Sequence, residues 1–149
     1  MPDPDFGFSK ITVEPKETAW LALPELHGEH ALQGYFAGHD DSSYTKAKLK
    51  QPSAAGMSSD ELVDNERRLF ARHVLCGWKG FKTRDQDGVE RVLDFSEGLA
   101  LAMLRQIPTD VLVKILRFFT TRENFVVARE REAARRELEG NSPAGSSGS

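Results

Sequence analysis

Ser58-Ser59-Asp60-Glu61-Leu62-Val63-Asp64-Asn65-Glu66-Arg67-Arg68-Leu69-Phe70-Ala71-Arg72-His73-Val74-Leu75-Cys76-Gly77-Trp78 is the stretch on which the reading of the fold turns. Ser58 and Ser59 offer a hydroxyl cap, and Asp60 and Glu61 follow where the positive end of a helix dipole favours carboxylates. At about 3.6 residues per turn, Leu62, Leu69, Phe70, His73 and Val74 fall near one face. Asp64, Arg67, Arg68 and Arg72 fall mostly elsewhere, and Gly77 offers a left-handed stop. The pattern predicts a helix over 60–76.

Downstream, Trp78 and Phe81 precede the tight-turn sequence Asp85-Gln86-Asp87-Gly88, and Val89, Val92, Leu93 and Phe95 follow it, so a loop or short hairpin is expected. Ser96 and Glu97 open a second helix, rich in Ala, Leu and Met, that reaches Ile107, because Pro108 pushes the residue before it away from helical angles. Thr109 and Asp110 open a third, whose Val111, Leu112, Ile115, Leu116, Phe118, Phe119, Phe125 and Val126 form a broad apolar face. From Arg129 to Glu139 nearly every side chain is charged, with Glu132 and Arg136 at the favourable i,i+4 spacing. A continuous helix from Asp110 to Glu139 would span roughly 45 Å and project its charged end into solvent. Such an end reads as a solvated face or as a docking arm, with Val126, Val127, Ala133, Ala134 and Leu138 as a thin apolar stripe.

Upstream, Ile11-Thr12-Val13, Trp20-Leu21-Ala22-Leu23 and Leu32-Gln33-Gly34-Tyr35-Phe36 are strand candidates, and Glu25-Leu26-His27-Gly28-Glu29-His30 has turn composition. The expected class is α+β and mainly α-helical: about three helices, the last long, with a small β-rich N-terminal head. The organisation expected is a β-rich or irregular head over 1–45, a linker over 46–58, a helical domain over 59–139 and a disordered tail over 140–149.

The totals bound the function. The chain has 149 residues, enough for one domain with a core. Lys and Arg number 20 against 23 Asp and Glu, a net charge of −3, so no basic excess exists to neutralise a phosphate backbone and no nucleic-acid partner is expected. A single cysteine, Cys76, and an opening without signal-peptide character suggest a reducing cytoplasm. No apolar run approaches the roughly 20 residues that cross a bilayer, so no membrane partner is expected.

Reactive groups are sparse. His27 and His30 flank Gly28-Glu29, but the order differs from the zinc-protease motif and the segment reads as a turn. Asp85 and Asp87-Gly88 resemble the heart of a calcium loop, yet Thr83 and Asp94 stand where carboxylate and bidentate Glu belong. His39-Asp40-Asp41-Ser42-Ser43 brings a base beside hydroxyls, although adjacency in sequence does not build a triad. His73 reads as a partly buried, hydrogen-bonded histidine and Cys76 as an inert core thiol at a helix end. No catalytic residue, cofactor or metal is assigned, and no enzyme activity is expected.

The run from Arg67 through Gly77-Trp78 and Phe81, the turn Asp85, Asp87-Gly88, then Phe95-Ser96, Pro108 and Asn124-Phe125 resembles the tail assembly chaperones of long-tailed bacteriophages. The likeness covers Arg67 to Phe125 well and the region of Trp20 and Tyr35-Phe36 loosely. It implies a non-catalytic factor of the host cytoplasm, absent from the mature virion, that self-associates, binds the tape measure protein and promotes tail tube assembly. The alternative is a structural tail completion or connector protein retained in the virion. A cover for a long amphipathic client needs accessible aromatic surface. Trp20, Tyr35, Phe36, Trp78, Phe81, Phe118, Phe119 and Phe125 are the candidates, and some of them must instead form the core.

Overall fold

The computed structural model of the chain describes residues 3–51 and 55–141. Among them are five helices and five strands in two small sheets, with the strands concentrated before the last three helices. This corrects the expectation of about three helices behind a separate β-rich head. β1 (Thr18–Ala22) and β2 (Ala31–Tyr35) pair antiparallel, joined by Pro24–Leu26 and a turn in which His27 takes a left-handed φ of 56°. β2 then pairs with β3 (Leu75–Lys79), so the head and the middle of the chain share one sheet. Two strands alone would be marginal, and the third, donated from far along the chain, completes a stable unit. Ile11-Thr12-Val13 forms no strand; Val13 is buried, and the Thr12 carbonyl accepts from Arg129 Nη1 at 2.9 Å.

Helix α1 (Ser43–Leu49) occupies the beginning of the polar stretch expected as a linker, capped by Ser42 Oγ accepting from Thr45 N. Pro52, Ser53 and Ala54 of that stretch lie outside the described residues. Helix α2 (Ser59–Leu69) starts as its cap dictates, with Ser58 Oγ accepting from Glu61 N at 3.2 Å. It does not run to Cys76. Phe70–Val74 widens into a π turn, closed by Leu75 N donating to Phe70 O, and the chain enters β3 at Leu75. The widened turn leaves Phe70, Ala71 and Val74 buried before Leu75 takes its place opposite Gly34, and such turns arise where helical geometry is overridden by packing.

Gly77 is therefore a strand residue rather than a left-handed stop. A Cβ there would come within 2.8 Å of Gln33 Oε1 across the sheet. The reversal is made by Gly80, at φ 86°, which leads into the hairpin of β4 (Lys82–Arg84) and β5 (Glu90–Val92). The turn of that hairpin is Asp85-Gln86-Asp87-Gly88, as its composition predicts, with Gly88 at φ 78°.

Helix α3 (Glu97–Gln106) follows its Ser96 cap and ends before Pro108. The long third helix of the sequence reading is two. α4 (Thr109–Phe119) stops at Thr120, and α5 (Arg122–Asn141) starts afresh. Thr120 Oγ1 and Thr121 Oγ1 turn back to carbonyls at Leu116 and Arg117, while the Phe119 carbonyl accepts from Ala37 N at 2.8 Å. A backbone group from the segment after β2 thus satisfies the end of α4, which frees α5 to pack Phe125 and Val126 inward. Past Arg129, α5 is exposed and laced by ion pairs such as Glu132 with Arg135 and Arg136, and Leu138 is 72% exposed. Of the tail expected to be disordered, residues 142–149 lie outside the described residues.

The inner sheet face carries Ala19, Leu21, Leu32 and Leu75 onto Phe70, Val74, Leu104, Leu112, Ile115, Phe119 and Phe125. The outer face carries Trp20, Gln33 and Gly77 in register.

Candidate functional site

Period-2 alternation along β1 and β3 sends Leu21 and Trp78 inward and Trp20 and Lys79 outward. The eight aromatic candidates are divided accordingly. Phe36, Phe119 and Phe125 are core, with Phe36 and Phe125 ring centroids 5.4 Å apart. Phe118 is half-buried against Phe119 at 5.0 Å. Tyr35 is half-buried on the outer sheet face, opposite Thr18 in the β1–β2 register. Trp20 is 45% exposed, with the Lys79 ammonium 4.7 Å from its ring centroid.

Trp78 and Phe81 stack at 4.4 Å on either side of the Gly80 turn, and Phe95 meets Trp78 edge-on at 5.5 Å. The indole Nε1 donates to Leu93 O at 2.8 Å, which orients the ring. His30 meets Phe81 edge-on at 4.8 Å. With Leu26, Leu93, Leu99, Met103 and Ile107, the rings of His30, Trp78 and Phe81 line an open groove of about 360 Å³. Sequence reasoning missed the α3 wall; the signal was present as Leu99, Met103 and Ile107 at four-residue spacing, read only as part of an apolar run.

The other motif residues hold the framework. Arg67 Nε donates to Leu104 O at 3.1 Å, tying α2 to α3. Asn124 Nδ2 donates to Phe118 O at 3.0 Å, joining the first turn of α5 to the end of α4. Asp85 Oδ1 accepts from the backbone of Asp87 and Val89, and Oδ2 pairs with Arg91 at 3.1 Å. Those bonds, the backbone one from Val89 foremost, hold its carboxyl below the usual carboxylate range. Asp87 and Gly88 stand exposed at the turn.

The remaining reactive side chains do not converge. Among the described residues no three of His, Cys, Asp and Glu are grouped as metal ligands. His30 Nδ1 is buried without a hydrogen-bond partner, and the ring edge carrying it lies against Gly28, where a Cβ would meet Nδ1 at 3.0 Å. His39 Nδ1 accepts from Asp41 N, and the Ser42 hydroxyl donates to Ala37 O, so each is engaged in organising the entry to α1. Ser43 Oγ contacts His73 Nδ1 at 3.1 Å, and burial followed by Arg72 pushes His73 down. Cys76 sits half-buried in β3 rather than at a helix end, and burial pushes its thiol up, which keeps it protonated near neutrality. No helix among the described residues is long and apolar enough to cross a membrane.

One ionic contact is a test of the packing of α2 against α3. Asp64 accepts from Arg105 Nε at 2.9 Å and Nη2 at 3.0 Å, and from Arg68 Nε at 3.1 Å. Arg105 chiefly lowers its pKa to about 2. The ordinary value of the group is 3.8, so the carboxylate favours the folded state above that pH, and the contribution is lost as pH falls toward about 2. Thermal melts at pH 7, 4 and 2 are expected to show Asp64→Asn reducing stability at pH 7 and converging with the parent at pH 2. Parallel pH curves would refute the contact.

Comparison with known families decides how this arrangement is placed. A family profile described as the YdaY prophage protein matches residues 40–141, more than half of the chain. The chain belongs to the YdaY prophage protein family. It is accordingly a phage-related protein. The YdaY match takes in all five helices and the β3–β5 segment, and leaves β1 and β2 outside it. Most of the groove therefore falls within the YdaY region, with Leu26 and His30 contributed from before it. No curated protein and no solved structure matches the chain.

Proposed function

We propose that this YdaY-family protein is a tail assembly chaperone: a non-catalytic factor of the host cytoplasm, absent from the mature virion, that binds the tape measure protein and promotes tail tube assembly around it. The observation that supports this reading is the groove lined by Trp78, Phe81, Met103 and Ile107, half-buried apolar side chains that pack on the core and leave part of their surface in the groove. Apolar surface left in water is costly, and covering the exposed part of these side chains with a partner recovers that free energy. Trp20 on the outer sheet face adds an exposed ring, and self-association along a client would use surfaces of this sort.

Co-expression with a phage tape measure protein, followed by solubility measurement and pull-down, tests the proposal. The client is expected to become soluble and to co-elute with this chain, and purified particles are expected to lack it. A client equally soluble without the chain would defeat the chaperone reading, and retention in particles would favour a tail completion or connector protein.

A further inference from the structure

The groove also constrains the kind of surface that enters it. Its lining brings together Trp78 stacked on Phe81, the Leu99, Ala102, Met103 and Gln106 side of α3, and Leu26, Ile107 and Pro108. At about 360 Å³ it is at the small end of ligand pockets, with room for a pair of side chains.

Several backbone groups in the lining are already committed. Leu93 N donates to Phe81 O at 2.9 Å, Leu93 O accepts from the Trp78 indole, and Ile107 N donates to Met103 O at 3.1 Å. A strand added here would find those groups taken. An α-helix satisfies its own backbone bonds and needs only side-chain surface, which the groove supplies. Met103 adds a flexible, polarisable side chain that adapts to different apolar shapes.

Charge adds a direction. Lys82 is the cation of the lining, and no Asp or Glu is part of it. The nearest carboxylate of Lys82 is Glu90, at 3.8 Å, and Arg84 holds the same carboxylate more closely at 3.2 Å. With Glu29 and Glu90 set against Lys79, Lys82 and Arg84 around this edge, one cation is left in excess there.

We propose that the groove receives an amphipathic helix of a partner protein, two large apolar side chains one turn apart entering between Phe81 and Met103 and a partner carboxylate meeting Lys82. This deepens the chaperone reading and rests on it, naming the site and the chemistry of the client segment.

The full chain is titrated against a fluorescein-labelled amphipathic peptide of about 18 residues, long enough to hold a helix, with Leu and Phe one turn apart and Glu beside them. A second peptide replaces that Glu with Lys. Leu99 is 38% exposed at the rim, so Leu99→Asp is expected to leave the thermal melt close to that of the parent while weakening the Glu peptide at least about tenfold. Lys82→Glu is expected to weaken the Glu peptide and strengthen the Lys peptide. Trp20→Ala, on the opposite face, is expected to change neither affinity.

Undiminished affinity in a folded Leu99→Asp protein overturns the proposal, as does a Lys82→Glu protein that does not reverse the preference. A chain that dimerises through the groove, dissociating on Leu99→Asp, overturns it in favour of a second copy. If both peptides behave as expected but the wild-type chain leaves the tail client insoluble, the groove stands and the chaperone role falls. If the client is solubilised equally by the parent, Leu99→Asp and Lys82→Glu, the chaperone role stands and the groove falls.

Discussion

Gly80→Ala is expected to lower folding stability by about 3–5 kcal/mol, among the larger losses a single methyl group produces. Two costs combine. At φ 86° any side chain strains the backbone, by about 1–3 kcal/mol. The added Cβ would also come within 2.3 Å of the Glu29 carbonyl oxygen, 2.7 Å of its carbon and 3.0 Å of His30 Cα. These are backbone atoms, so no rotamer change relieves the contact. Moving them disturbs the Leu23 N to His30 O bond at 2.8 Å and the Ala31–Lys79 end of the sheet register. Gly88→Ala is the control: its φ of 78° carries a similar strain, but nothing stands within 4 Å of the new Cβ. Urea unfolding should place Gly88→Ala about 1–2 kcal/mol below the parent and Gly80→Ala well below that. Equal losses would mean that the Glu29 and Gly80 backbones do not approach as described. The Gly80 substitution should also loosen the groove, because Phe81 is stacked on Trp78 across that turn and meets His30 at 4.8 Å.

Phe119→Ala should cost a comparable amount, about 3–5 kcal/mol, by loss of transfer free energy and creation of a cavity. The Phe119 ring is fully buried and lies over Gly34 on β2, where a Cβ would stand 2.7 Å from Cε1. It packs on Phe118 and Phe125, and its own carbonyl receives Ala37 N–H. The void would open between the sheet, α4 and α5, all held by rigid neighbours that close in only partly. Trp20→Ala is the contrast. Its ring is 45% exposed and leaves no enclosed cavity, so the loss of part of its burial and of a cation–π contact worth about 0.5–1 kcal/mol should cost well below the Phe119 value. The midpoint of urea unfolding should therefore drop steeply for Phe119→Ala and much less for Trp20→Ala, with similar slopes. Equal shifts would overturn this division of the aromatic residues between core and surface.

That division illustrates how far the sequence could be read. Phe118, Phe119 and Phe125 all fall on one broad apolar face, and periodicity distinguishes that face from solvent but not a fully buried ring from a half-buried one. Burial depends on what the rest of the chain brings against the face. Here Gly34 and Phe36, from some eighty residues earlier, lie against Phe119 and Phe125. The groove was legible only in its Trp78 and Phe81 half. Its α3 half was visible as spacing without a partner, because nothing local says that Leu99 and Met103 face the Gly80 turn.

Local chemistry by itself determined where α2, α3 and α4 begin and which turn closes the hairpin. Ser58 and Ser96 cap α2 and α3, Pro108 separates α3 from α4, and Asp85 with Gly88 shapes the β4–β5 turn, all through bonds spanning a few residues. Tertiary structure decided where helices end and to which sheet each strand belongs. Val74-Leu75-Cys76 suits a helix or a strand, and β2 converts it to a strand by offering a ladder opposite Gly34. The chain at Thr120 could have continued as helix, but Ala37 satisfies the Phe119 carbonyl and lets α5 turn inward. Capping and turn energies are set by neighbours in sequence, whereas strand pairing and helix termination are won by contacts between segments whose proximity exists only once the chain has folded.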